Sequence, residues 1–137
     1  MVRMMGALLA ATLMGQESAS VAFRTLAVGT DSKIEGRHEL VARTAGTWHL
    51  LWHKHSGRDD APTVDVTREM AVAVFAGKSN AGESIQVTTV VREGATVVVH
   101  YRKLVAATNP AAAAPTTPFH IIAVPSDGTP VKFVVDR

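Results

Sequence analysis

Two runs of β-branched residues on either side of one short turn constrain this chain most. SIQVTTVVR at 84–92 and ATVVVHYRK at 95–103 flank Glu93 and Gly94. A glycine there can adopt positive φ in a two-residue hairpin turn, which predicts two antiparallel strands in direct contact. In the second arm Val97, Val99 and Tyr101 point one way and Val98, His100 and Arg102 the other. That is the alternation of a sheet with one wet face, and it places His100 on the wet side.

The same signal recurs along the chain. VAFRTLAV at 21–28, HELVAR at 38–43, EMAVAVFA at 69–76, PFHIIAV at 118–124 and PVKFVVD at 130–136 all read as strands, which with the hairpin makes seven. One helix interrupts them, from about Thr44 or Thr47 to His55. Thr47 is a candidate N-cap, Trp48, Leu51, Trp52 and His55 follow at helical spacing, and Gly57 is placed to end the helix. Both tryptophans are therefore expected to face inward. The expected fold is mainly β: a two-sheet β-sandwich, immunoglobulin-like or small barrel-like, of about seven strands with one short α-helix. Alternation assigns faces and not strand order, so sandwich and barrel both remain, and of the two we expect the sandwich.

Composition bounds the function. With 137 residues, 47% of them hydrophobic and 19% charged, the chain can bury one real core. A net charge of +2 with scattered basic residues does not mark a nucleic-acid binder. There are no cysteines, which excludes disulfides, thiolate zinc sites, cysteine nucleophiles and the lipobox cysteine of a bacterial lipoprotein.

Residues 1–20 read as a signal peptide. Arg3 precedes an uncharged, apolar run from Met4 to Met14, a length typical of a signal h-region and well short of the roughly 20 residues that span a bilayer. Ser18, Ala19 and Ser20 then supply small residues for cleavage before Val21. The expected mature domain is 21–137, exported to the periplasm or secreted, with no membrane span. AATNPAAAAPTTP at 106–118 reads as a long, mobile loop between two strands, because its prolines and lack of hydrophobic period exclude a strand.

No residue set amounts to a catalytic site. His49 and His53 stand at i and i+4 on the helix, with His55 two residues on, and are weak candidates for a metal pair. Leu50 occupies the position where a zincin places its general base, so two imidazoles on the solvent side of an amphipathic helix is the simpler reading. Asp59, Asp60 and Asp65 lack the alternating ligands and fixed glycine of a calcium loop and read as solvated turns. Ser79 and Ser84 lie in no GxSxG pattern. No cofactor is expected. GKSNAGES at 77–84 links two strongly apolar strands by a polar, glycine-bearing stretch, a composition common in recognition loops carried on rigid sheets. Lys78, Ser79, Asn80, Ala81, Gly82 and Glu83 are the candidate partner-binding residues.

The order of these segments resembles the bacterial PrcB family, named for an accessory subunit of a secreted protease complex. VAFRTLAVGTDSKI at 21–34, TWHLLWHKH at 47–55, PTVDVTREMAVAVFAGK at 62–78, PFHIIAVP at 118–125 and VKF at 131–133 carry the likeness, with Leu51–Trp52, Pro62 and Asp65 at recurring positions. At the 77–84 loop the family's Gly-Gly-Tyr, which looks like the binding loop of chagasin-type protease inhibitors, is replaced by Ala81, Gly82 and Glu83, so only Gly82 carries over. The resemblance implies a non-enzymatic subunit that stabilises or assists an extracytoplasmic protease, with a protein partner. The alternative is a sandwich module that binds another envelope protein or a polysaccharide.

Overall fold

A computed structural model describes residues 18–106 and 114–137. The first part of the leader reading and the Ala-Pro stretch at 107–113 lie outside the described residues. Eight strands form two four-stranded sheets. The first contains β1 (Ser18–Ser20), β5 (Glu83–Glu93), β6 (Thr96–Val105) and β8 (Val131–Val135), in that order. The second contains β2 (Arg24–Gly29), β7 (Phe119–Pro125), β4 (Glu69–Ala76) and β3 (Arg37–Ala42). All pairs are antiparallel except β6 with β8. The molecule is a β-sandwich, and seven of its strands fall within a few residues of the runs of β-formers. The added strand, β1, consists of three exposed residues at the end of the segment read as a leader.

The β5–β6 hairpin forms as expected, with its turn one residue later. Glu93 pairs with Thr96, so the two loop residues are Gly94 and Ala95. Gly94 has φ 60° and no non-glycine residue among those described has positive φ. Only the first loop position is left-handed, which is the II′ arrangement that fits the twist of two paired strands.

Among the described residues one helix, α1 (Ala45–Ser56), packs on the outer face of the second sheet and makes a third layer. The cap is Thr44 and not Thr47: the Thr44 hydroxyl accepts from the Thr47 N–H at 3.1 Å, while the Thr47 hydroxyl accepts from Thr44. Thr44 has the extended backbone a cap needs and already precedes the first helical turn. Gly57 ends the helix at φ 72°, with its N–H on the His53 carbonyl at 2.7 Å.

Three layers explain why β4 reads as an apolar run and β7 as one interrupted only by His120. Met70, Val72 and Val74 of β4 and Ile122 and Val124 of β7 face the first sheet, where they meet Val97, Val99 and Tyr101 of β6. Ala71, Ala73 and Phe75 face the helix with Phe119 and Ile121, under Trp48, Leu51 and Trp52. A strand covered on both faces has no position for a polar side chain without a partner. Small Ala71 and Ala73 leave room for the two indoles, which keeps the helix layer closely packed. Both indole N–H groups find acceptors: Trp48 Nε1 donates to the Pro62 carbonyl at 2.9 Å and Trp52 Nε1 to Asp60 at 3.0 Å.

Candidate functional site

The 77–84 loop crosses from the second sheet to the first and is tied down along its length. The Lys78 N–H donates to the Glu35 carbonyl at 3.1 Å, and Ser79 and Thr116 exchange both backbone hydrogen bonds at 2.8 Å. The Ser79 hydroxyl is buried and donates to the Gly77 carbonyl. Asn80 and Glu83 close a turn on each other, the Asn80 N–H donating to the Glu83 carboxylate and the Glu83 N–H to the Asn80 carbonyl. The Gly82 carbonyl accepts from Ala106, and Ala81 is half-buried. Lys78 and Asn80 are exposed, with Lys78 3.5 Å from Glu35. Most backbone groups of the loop are therefore committed inside the molecule, and what it offers outward is a short polar tip.

On α1, His49 and His53 are exposed, and His53 Nδ1 meets the Asp59 carboxylate at 2.9 Å. Among the described residues no group of three or more His, Asp or Glu gathers closely enough to hold a metal ion. Asp60 serves Trp52 and Arg58, and Asp65 accepts from the N–H and hydroxyl of Thr67. These bonds hold both carboxyls below the usual range, Asp60 through the Trp52 indole first and Asp65 through the Thr67 hydroxyl first. His100 is half-buried and meets Asp136 at 3.1 Å.

Two features that local sequence did not reveal flank the helix. The first is a groove between α1 and β3, lined by Leu40, Val41, Ala42, Leu50, Leu51 and Lys54, of about 160 Å³ and largely apolar. Leu50 is 55% exposed and Leu40 36%. The groove runs beside a sheet edge, because β3 has a strand partner on one side only among the described residues. Its six register pairs with β4, from Arg37–Ala76 to Ala42–Ala71, carry no shift. The other edges differ: β1 has three residues, β2 is broken by a shift between Thr25 and Ala27, and β8 is a five-residue strand paired in parallel. Short length and bulges protect an edge from further pairing, and β3 has neither.

The two faces of β3 are unlike. His38, Leu40 and Ala42 lie on the helix side, Ala42 in the core beneath α1. Arg37 and Glu39 lie on the side of the first sheet and reach Tyr101, whose hydroxyl donates to Glu39 and lies 3.4 Å from Arg37. Burial first, and the Glu39 carboxylate second, hold the Tyr101 phenol above its ordinary value.

The second feature is a cavity of about 310 Å³ on the opposite flank of α1, walled by Trp52, His55 and Phe119 and rimmed by Asp31, Lys33 and Arg58. His55 is 5% exposed and its ring lies 4.1 Å from that of Phe119, edge to face. Its Nδ1 is 2.8 Å from the hydroxyl of buried Ser32. That hydroxyl also accepts the Ile34 N–H at 3.1 Å. Ser32 is not among the residues that line the cavity. The helical spacing predicted that His55 faces inward; nothing local indicated that Ser32 would meet it.

Among the described residues, no helix is long and apolar enough to cross a membrane. Compared with family models, curated proteins and solved structures, the chain matches none.

Proposed function

We propose that the protein is a non-enzymatic binding subunit that takes an extended segment of a partner protein along the free edge of β3. The observation that carries this reading is the pairing of an unbulged, six-residue edge with an apolar groove on its flank. An added strand gains main-chain hydrogen bonds from the edge, and alternate side chains fall on one face, where Leu40, Leu50 and Leu51 would receive apolar ones. Lys54 lines the groove among largely apolar side chains, so an apolar segment with an acidic residue beside it fits best.

The resemblance to PrcB-type accessory subunits, together with the leader-like residues 1–20, supports an extracytoplasmic protease as the partner and export as the route to it. Capture from a cross-linked envelope fraction of the host, repeated with a Leu40→Asp/Leu50→Asp variant, tests both parts. Recovery of a protease with the unsubstituted protein and its loss with the variant is the expected result. A protease recovered equally by both would place the contact away from the groove. Another envelope protein or a polysaccharide, lost with the variant, would leave the groove standing and remove the protease.

A further inference from the structure

We propose that the cavity between the last turn of α1, the β2–β3 connection and Phe119 binds the carboxylate of a small ligand with an apolar body. The inference starts from a proton. Ser32 is 6% exposed, and its hydroxyl already accepts the Ile34 N–H. Its remaining partner is His55 Nδ1. A buried hydroxyl hydrogen without an acceptor is costly, so the hydroxyl donates to Nδ1 and the ring proton sits on Nε2.

That Nε2–H has no partner among the described residues. It is not sealed away either, since Thr116 Oγ1 is the one fully buried side-chain polar atom there without a partner. His55, more than nine-tenths buried, lines the cavity, and its Nε2–H is the donor it can offer a ligand there. Burial lowers the pKa of His55, Asp31 opposing this and Arg58 adding to it, so the donor is a neutral imidazole.

The rim sets the charge of the acceptor. Lys33 and Arg58 outnumber Asp31 there. Lys33 is held across the αL residue that ends the helix, its Cε 2.8 Å and Nζ 3.3 Å from where a Cβ on Gly57 would stand. Arg58 Nε is 3.3 Å from Asp60, which leaves its other guanidinium nitrogens for the cavity. Trp52 and Phe119, each more than nine-tenths buried, add aromatic contacts to a lining that is otherwise largely polar. A neutral N–H, two cations and aromatic contacts suit a carboxylate on an aromatic or aliphatic body. A free acid and the C-terminus of a peptide share that chemistry.

Tryptophan NMR reads the site directly. The chain has two tryptophans, of which Trp52 lines the cavity and Trp48 does not. Titration with N-acetylphenylalanine is expected to move the Trp52 indole N–H signal saturably and more than that of Trp48, while the amide of the same compound leaves it in place. Lys33→Gln and Arg58→Gln, both at exposed positions, should each weaken binding about tenfold, the effect of losing one charge-assisted hydrogen bond. A peptide ending in free phenylalanine that binds more tightly than N-acetylphenylalanine assigns the site to C-termini, and the reverse order assigns it to free acids. Leu40→Asp/Leu50→Asp should leave the titration unchanged, which separates this site from the groove. Equal response to acid and amide, unchanged affinity in both charge variants, or no saturable shift up to about 10 mM, beyond the millimolar scale of weak sites, overturns the proposal.

Discussion

His120 Nδ1, on β7 of one sheet, accepts the backbone N–H of Val87, on β5 of the other, at 2.9 Å. Val87 adjoins the shift in the β5–β6 register, where Thr88 is left out of the pairing. The same ring meets the Thr25 hydroxyl through Nε2 at 2.8 Å. Since Nδ1 accepts, the ring proton is on Nε2 and is donated to Thr25. One buried neutral imidazole therefore joins the two sheets and β2, and it supplies an acceptor for a main-chain group that the shifted ladder does not use.

The first prediction follows from the charge that ring cannot carry. Burial lowers the pKa of His120 below the ordinary 6.5, and protonation of Nδ1 would remove the acceptor for Val87. The folded state thus holds fewer protons than the unfolded chain below pH 6.5. Stability from this group is complete above that pH and falls as the pH drops toward the folded pKa. His55, lowered first by burial, acts in the same direction. Denaturant unfolding at successive pH values should show this loss, and it should shrink in a His120→Phe variant that is itself destabilised by about 1–3 kcal/mol at neutral pH, because Val87 is left unpaired. An unaltered pH slope in that variant would sink the assignment.

Tyr101 is the only tyrosine, so its titration is unambiguous. Its pKa is raised from 10.0, by burial first and by its bond to Glu39 second. The folded state resists losing the phenolic proton, so stability from this group is full below pH 10 and is lost as the pH rises through the folded value. A phenolate absorbance titration should place the midpoint above 10 in the folded protein and return it to the ordinary value in denaturant. Tyr101→Phe should cost about 1 kcal/mol, the usual net worth of such a bond.

Two glycines at positive φ separate strain from space. A Cβ on Gly94 would meet nothing within 4 Å, whereas one on Gly77 would come 3.0 Å from the Arg37 nitrogen and 3.2 Å from the Glu35 carbonyl oxygen. Gly94→Ala should cost about 1–2 kcal/mol for the left-handed backbone alone. Gly77→Ala should cost more, since backbone atoms of the β2–β3 connection must move as well. Equal midpoints in denaturant for the two variants would count against this distinction.

Trp48 is 1% exposed between α1 and the small residues of β4. Trp48→Ala should destabilise the fold by about 3–5 kcal/mol, the cost of a large cavity in a close-packed layer, and should unpair the Pro62 carbonyl. Calorimetry provides the check, and a change under about 1 kcal/mol would mean that the helix layer collapses to fill the space.

Replacing residues 78–83 by a Gly-Ser linker distinguishes the loop from the groove as the partner contact. The groove reading predicts unchanged partner affinity with lowered stability, because the Ser79–Thr116 exchange and the Asn80–Glu83 turn are lost. Lost affinity in a variant that melts normally would return the contact to Lys78, Asn80 and their neighbours.

The sequence by itself determined the elements. Runs of β-formers placed seven strands, β-branched runs around Gly94 announced the hairpin, and the spacing of Trp48, Leu51, Trp52 and His55 assigned the helix and its buried face, all of which are local signals. Tertiary structure alone decided which strands share a sheet, that α1 covers the face of β4 and β7 opposite the first sheet, and that β3 has, among the described residues, an open edge beside an apolar groove. It also decided that His120 reaches Val87 and that His55 meets Ser32 beside a cavity. The reason is physical: side-chain periodicity records which way a residue points, while partners far apart in sequence are chosen by how whole layers pack, and a single chain of residues carries no local mark of that choice.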